Sequence, residues 1–264
     1  MVLKLGGSVI TVKERPFTSN KEAIMRLAEE IKRSDVENLI VIHGGGSFGH
    51  PLAKQYRLRE GYKDSSQIMG FSKTHQAMVT LNKMVVDALL DQNVSAVSLQ
   101  PSSCIITKSG RIHIMEKRPM VRLLKMGFVP VLYGDVVFDL DLGFSILSGD
   151  QLVTTLAELF GSNSVVVGVD VDGLYTADPK DDASAELIQS ITLKELEGLK
   201  DNIGETKVTD VTGGMLGKIR ELIPAVEQGT TVTIVNAAKQ GNIQKALKGE
   251  SVVGTVIKRY KTIG

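Results

Sequence analysis

The sequence predicts an α/β protein built on a mainly parallel sheet covered by helices. Three observations carry this reading: short apolar runs rich in β-branched residues, helical patterns that alternate with them, and glycine-rich turns set directly after two of the runs.

Candidate buried strands are Val2 to Leu5, Asn38 to Ile42, Val94 to Leu99, Phe128 to Leu132, Val165 to Val169, Thr231 to Val235 and Val252 to Ile257. Their apolar positions are nearly continuous, as in strands covered on both faces. Helical spacing falls at about 20–33, 65–92, 117–126, 150–161, 214–228 and 239–247. Ile105 to Lys108 and Arg111 to Ile114 flank Ser109-Gly110, the pattern of a β-hairpin. Val136 to Asp139 and Gly143 to Ile146 form a second hairpin, so the first half carries two antiparallel insertions. Gly161-Ser162-Asn163 separates that half from a more regular second half. The expected organisation is two lobes, 1–160 and 161–264, sharing one continuous sheet.

The 264 residues, 42% of them hydrophobic, suffice for a full core. Lys plus Arg (31) nearly balance Asp plus Glu (30), which leaves no overall field for nucleic acid or an anionic membrane, so small molecules are the expected partners. The single cysteine, Cys104, excludes an intramolecular disulfide and a cysteine-based zinc site. No run reaches the roughly 20 apolar residues that span a bilayer. Met1 leads straight into Val2-Leu3-Lys4-Leu5 without the apolar region of a signal peptide. A soluble, cytoplasmic chain is expected.

Candidate chemistry begins at the glycines. Asn38 to Ile42 runs into His43-Gly44-Gly45-Gly46-Ser47-Phe48-Gly49-His50, where Gly44, Gly46 and Gly49 match the dinucleotide fingerprint G-x-G-x-x-G. A strand-to-helix turn without ligand reads the same way. The fingerprint also expects an acidic residue closing the next strand, and Glu60 and Asp64 lie instead in a polar segment before a helix, which disfavours a dehydrogenase. A second turn, Gly6-Gly7-Ser8, follows the first strand. Two anion-friendly turns at one sheet edge suit phosphoryl transfer better than hydride transfer. Thr212 to Ile219 is not a Walker A loop, having Thr in place of its first Gly and Ile219 in place of its Ser or Thr.

Lys4 interrupts an apolar strand, where an ammonium is costly unless it meets an anion; a lysine snorkelling from an edge strand is the plainer alternative. Lys218 falls in the first turn of a helix, where the dipole disfavours a cation and a bound phosphate reverses that sign; a solvated surface lysine is its alternative. Phosphoryl transfer needs charge neutralised on the moving group and the reacting oxygens held in line. Two lysines and the N–H groups of two turns meet that need together with a magnesium ion, and no carboxylate is assigned to the metal.

These motifs resemble the amino acid kinase superfamily along the whole chain. Lys4-Leu5-Gly6-Gly7-Ser8 is similar to its N-terminal lysine and glycine turn, and His43-Gly44-Gly45-Gly46 to its substrate-side loop. Val171 to Pro179 is similar to its nucleotide signature, and Gly213-Gly214-Met215 with Lys218 to its last element. The resemblance implies an open αβα sandwich whose N-terminal half binds the phosphoryl acceptor and whose C-terminal half binds ATP. The extended form ending in His50 resembles isopentenyl phosphate kinases, whose histidine binds the acceptor's phosphate; fosfomycin kinases share a similar histidine. It implies ATP and magnesium, isopentenyl phosphate as acceptor and a homodimer. A kinase of another small phosphonate or acid, and a nucleotide-sensing protein, are the alternatives.

Carried over by residue, Lys4, Gly6, Gly7 and Ser8 correspond to the ATP-phosphate turn, and Lys13 to a contact with the transferring phosphoryl group. Gly45, His50 and Gly149 correspond to acceptor-phosphate contacts, and Gly46 to a contact with ATP phosphates. Asp170, the stretch Tyr175 to Lys180 including Asp178 and Pro179, Gly214 and Lys218 correspond to the nucleotide site. Asp150 corresponds to an aspartate that orients the lysines, although on residues alone it reads equally as a helix N-terminal charge. His43 is expected to bond backbone at its strand end, and His75, His113 and Cys104 to be structural. An isoprenoid tail needs an apolar pocket. Phe71, Met78 and Val85 recur every seven residues on one helix face, with Ile146 on the hairpin side, and the same stripe also reads as ordinary helix core.

Overall fold

The computed structural model describes residues 1–177, 182, 184–196 and 213–260. Its main sheet is formed by β1 (Val2–Leu5), β2 (Ile40–His43), β3 (Ala96–Ser98), β6 (Val129–Tyr133), β9 (Ser164–Val169), β10 (Ser190–Thr192), β11 (Thr231–Asn236) and β12 (Gly254–Lys258). Their order is β10-β12-β11-β9-β1-β2-β6-β3, with every neighbouring pair parallel except β11 and β12. The first half of the chain thus builds one side of the sheet and the second half the other, meeting at β1 and β9. A smaller sheet, in the order β5-β4-β7-β8, holds the two hairpins: β4 (Ile105–Lys108) with β5 (Arg111–Met115), and β7 (Asp135–Asp139) with β8 (Gly143–Leu147).

Strand periodicity sorts side chains to the two faces. Val2, Ile40, Ile42, Leu132, Val165 and Val167 enter a core shared with helices Gly149–Leu159 and Gly213–Glu227. Leu3, Leu5, Val41, Val131 and Val166 enter the opposite core, beneath helices Lys21–Ser34, Ser66–Asp91 and Asn242–Lys248. Helices therefore cover both faces, as in an open αβα sandwich. The alternation also places Lys4 on the face of Val2, under Gly149–Leu159 and Gly213–Glu227.

Two elements differ from expectation. β10 adds a strand that the sequence does not announce. Helix Gly46–Gln55 follows the second glycine turn directly and precedes the long helix Ser66–Asp91 that carries Phe71, Met78 and Val85, as the spacing over 65–92 predicts. Glycines and an internal Pro51 hide the shorter helix from helical patterning. Pro51 has no N–H to give the Ser47 carbonyl, and the Phe17 N–H fills that role at 3.1 Å. Among the described residues, no helix is long and apolar enough to cross a membrane.

Candidate functional site

Lys4 is 2% exposed and donates from Nζ to Oδ1 of Asp150 at 2.5 Å. Lys218 reaches Oδ2 of the same carboxylate at 3.2 Å. Asp150 opens helix Gly149–Leu159, where Ser148 caps the Gln151 N–H at 3.1 Å and the dipole favours a carboxylate. Burial pulls the Lys4 ammonium down to about 8 although Asp150 pulls it up. Burial also works to raise the Asp150 carboxyl, but the two ammonium groups outweigh it and hold the group below its ordinary value. Two cations share one anion, so the cluster keeps a net positive charge at the mouth of the sheet. Gly149 makes room for it: a Cβ there would stand 3.3 Å from Cε of Lys4.

The glycine turns lie side by side because β1 and β2 are adjacent and parallel, with Leu5 opposite His43. A Cβ on Gly7 would fall 2.3 Å from the Gly46 nitrogen, and one on Gly44 would fall 2.8 Å from the Gly7 nitrogen. Gly46 has φ of +46°, the left-handed region open to glycine. Among the described residues, the N–H groups of Gly7, Ser8, Gly45 and Gly46 have no acceptor. Four bare donors beside a net-positive lysine pair are suited to phosphate oxygens.

His50 lies in helix Gly46–Gln55, one turn from Gly46, and is exposed. Partial desolvation, then the charges of Arg59 and Lys218, hold it below the ordinary imidazole value. His43 is buried and pushed down to about 4; Nδ1 donates to the Gly44 carbonyl at 3.1 Å, and Nε2 accepts from Asn82 at 3.1 Å. It bonds backbone as expected, and Asn82 is an added partner. His75 is held by the buried Asp135 at 3.1 Å, which raises its pKa. Burial raises the Cys104 thiol to about 11, which keeps it a thiol.

The apolar stripe divides. Met78 is 2% exposed beneath the turn, 3.0 Å from where a Cβ on Gly45 or Gly49 would stand, and Val85 is core as well. Phe71 and Ile146 sit in a separate cluster with Ala53, Leu58, Val136 and Phe144, where Phe71 stacks on Phe138 at 5.4 Å.

Lys13 is exposed in the loop after the first turn and has no ion pair among the described residues. On the other side of β1, Asp170 is exposed past the end of β9, and Tyr175 reaches Asp172 at 3.5 Å. Asp172 also pairs with Lys239 at 2.7 Å and accepts from Asn236 at 3.0 Å, a cluster without a local sequence signal. Asp178, Pro179 and Lys180 lie outside the described residues, and Gly214 falls in the first turn of helix Gly213–Glu227. The described residues hold no cluster of three metal-ligating side chains, and the carboxylate among the lysines is occupied by both of them.

Residues 1–236 match the model of the amino acid kinase family, and the chain belongs to that family. An isopentenyl phosphate kinase of Methanothermobacter thermautotrophicus is 43% identical over 265 residues, covering 97% of this chain and 98% of that protein. The isopentenyl phosphate kinase of Thermoplasma acidophilum is 35% identical over 264 residues, covering 98% of this chain and all of the relative (100%). A crystal structure of isopentenyl phosphate kinase superposes with a TM-score of 0.85 at 40% identity, over 97% of this chain and 99% of that one. UMP kinase from Ureaplasma parvum, 17% identical with a TM-score of 0.65 over 97% of each chain, shares the fold.

Proposed function

We propose that this chain transfers the γ-phosphoryl group of ATP to the phosphate of isopentenyl phosphate, forming isopentenyl diphosphate and ADP. The observation that carries the reading is the Lys4–Asp150–Lys218 cluster set beside four bare N–H groups on two touching turns. Identity of 43% and 35% to isopentenyl phosphate kinases over nearly whole chains supports the acceptor.

An acceptor phosphate is largely ionised near pH 7, since its second pKa is about 6. Its oxygen attacks the γ-phosphorus directly as the bond to the β-phosphate oxygen breaks, without a general base or covalent enzyme intermediate. Lys4, Lys218 and the N–H groups of Gly7 and Ser8 take up charge on the transferring and leaving phosphates. Gly45, Gly149 and the neutral N–H of His50 hold the acceptor phosphate, with Gly46 facing the ATP phosphates. Asp150 fixes both lysines, and Lys13 reaches the γ-phosphoryl group from its loop. Asp170, Tyr175, Asp178, Pro179, Lys180 and Gly214 hold the nucleotide. Magnesium, if bound with ATP, would be held chiefly by the ATP phosphates and would neutralise their charge. The halves 1–160 and 161–264 divide acceptor from nucleotide. A cytoplasmic homodimer in isoprenoid synthesis from mevalonate completes the reading.

The test is coupled ADP release over isopentenyl phosphate, fosfomycin, UMP, carbamate and glutamate. Isopentenyl phosphate should give the highest kcat/KM. Turnover of another acceptor with none of this one would overturn the assignment.

A further inference from the structure

We propose that Thr11 is a positioning residue that sets the spacing between the two glycine turns. The inference rests on the kinase reading above, since it assigns one turn to the donor and the other to the acceptor. Thr11 is 2% exposed and follows the short helix Gly7–Ile10 in extended conformation. Its hydroxyl donates to the Gly7 carbonyl at 2.7 Å, and the same oxygen accepts from the Ser47 N–H at 3.0 Å. One buried oxygen therefore bonds to both turns at once.

The acceptor-side helix depends on this contact. Helix Gly46–Gln55 has no side-chain cap from its own N-cap residue, Gly45. Phe48 and Gly49 turn their N–H groups back to the Gly45 carbonyl at 3.0 and 3.3 Å, and Thr11 satisfies the Ser47 N–H. A cap supplied from 36 residues away ties the helix start to the other turn. Gly46 is shaped around it, since a Cβ there would come within 2.1 Å of Oγ1 of Thr11. Ser47 adds two more ties to the same segment, accepting from the Phe17 N–H at 3.1 Å and donating its hydroxyl to the Thr18 carbonyl at 3.2 Å.

In-line transfer is sensitive to the distance between reacting oxygens, and a misplacement of about 1 Å costs about a hundredfold. Each substrate still meets its own turn without the bridge, so the loss should appear in kcat and not in KM. Thr11→Val keeps the side-chain shape and removes the hydroxyl; Thr11→Ser keeps the hydroxyl and removes a buried methyl. Thr11→Val should lower kcat about tenfold or more while both KM values stay within about twofold. Thr11→Ser should lose thermal stability yet keep kcat within about threefold of wild type. Thr11→Val also leaves the buried Ser47 N–H unpaired and the Gly7 carbonyl with only the Thr11 N–H, and so loses stability as well. A purely structural role predicts kcat within about threefold of wild type in both variants when each is assayed well below its melting temperature, and that result would overturn the proposal. If Thr11→Val does not fold, Thr11→Ala is compared with Thr11→Ser in its place. Wild-type turnover of isopentenyl phosphate checks the kinase reading separately. If another acceptor proves to be the substrate, the comparison is made with that acceptor, and if none is used both inferences fall.

Discussion

Replacing Asp150 by Asn should displace the pH dependence of catalysis in a direction the geometry fixes. Burial, opposed by Asp150, brings the Lys4 ammonium from 10.5 down to about 8. At about 1.4 kcal/mol per unit, the fold disfavours this charge by about 3 kcal/mol. The unfolded chain binds the proton more tightly, so between pH 8 and 10.5 the Lys4 contribution to stability rises with pH. Catalysis runs the other way, because a neutral amine does not stabilise a transferring phosphoryl group. The value of kcat/KM for ATP reports the free enzyme and should fall as pH rises through about 8. In Asp150→Asn the carboxylate's upward pull is gone, and this alkaline limb should move to lower pH. Each unit of displacement costs about tenfold in kcat/KM at a pH above the limb. The assay is coupled ADP release across the pH range, with circular dichroism following folding in the same samples. A limb that stays in place in Asp150→Asn, or a flat wild-type profile through alkaline pH in folded protein, refutes the reasoning.

Four further outcomes follow from the structure. Lys218→Ala removes one of the two ammonium groups on Asp150 and should lower kcat by about 10²–10³, measured by steady-state kinetics on folded protein. His50→Ala should raise the KM for the acceptor more than that for ATP, and His50→Gln should recover part of the loss through a neutral N–H; a change confined to the melting temperature would reduce His50 to a structural residue. Met78→Ala empties a fully buried site and should cost about 2–5 kcal/mol in urea unfolding. Ile146→Ala and Phe71→Ala, in the separate aromatic cluster, should instead improve kcat/KM for geranyl over isopentenyl phosphate, by about 0.8 kcal/mol per added buried CH₂ at most.

Much of the sheet was legible because its strands are covered on both faces and so read as apolar runs. Val165 to Val169 and Val2 to Leu5 were visible in that way, and Lys4 stood out against them. What escaped has no local signature. Asp150 is placed among the lysines by the family resemblance alone; on its own residues it reads as any helix-opening acid, since it meets Lys4 and Lys218 only across 146 and 68 residues. Helix Gly46–Gln55 is poor in helix formers, and its bond from Phe17 to the Ser47 carbonyl replaces the one Pro51 lacks. Thr11 in sequence is one threonine at the edge of a charged loop. The Asp172, Lys239 and Asn236 cluster joins residues that only the pairing of β9 with β11 brings together.

The adjacency of β1 and β2 has a mechanical consequence. Neighbouring strands in any sheet lie about 4.8 Å apart, held by a ladder of backbone bonds that side-chain changes scarcely stretch. With Leu5 in register with His43, both turns hang from rungs of one ladder, which fixes where each turn begins. On the proposed assignment, the backbone sets the coarse interval between donor and acceptor phosphates, and the Thr11 hydroxyl beyond the last rung holds its fine adjustment. The cluster of Phe71, Phe144 and Ile146 takes no part in that ladder, so trimming it leaves the interval between the turns as it is.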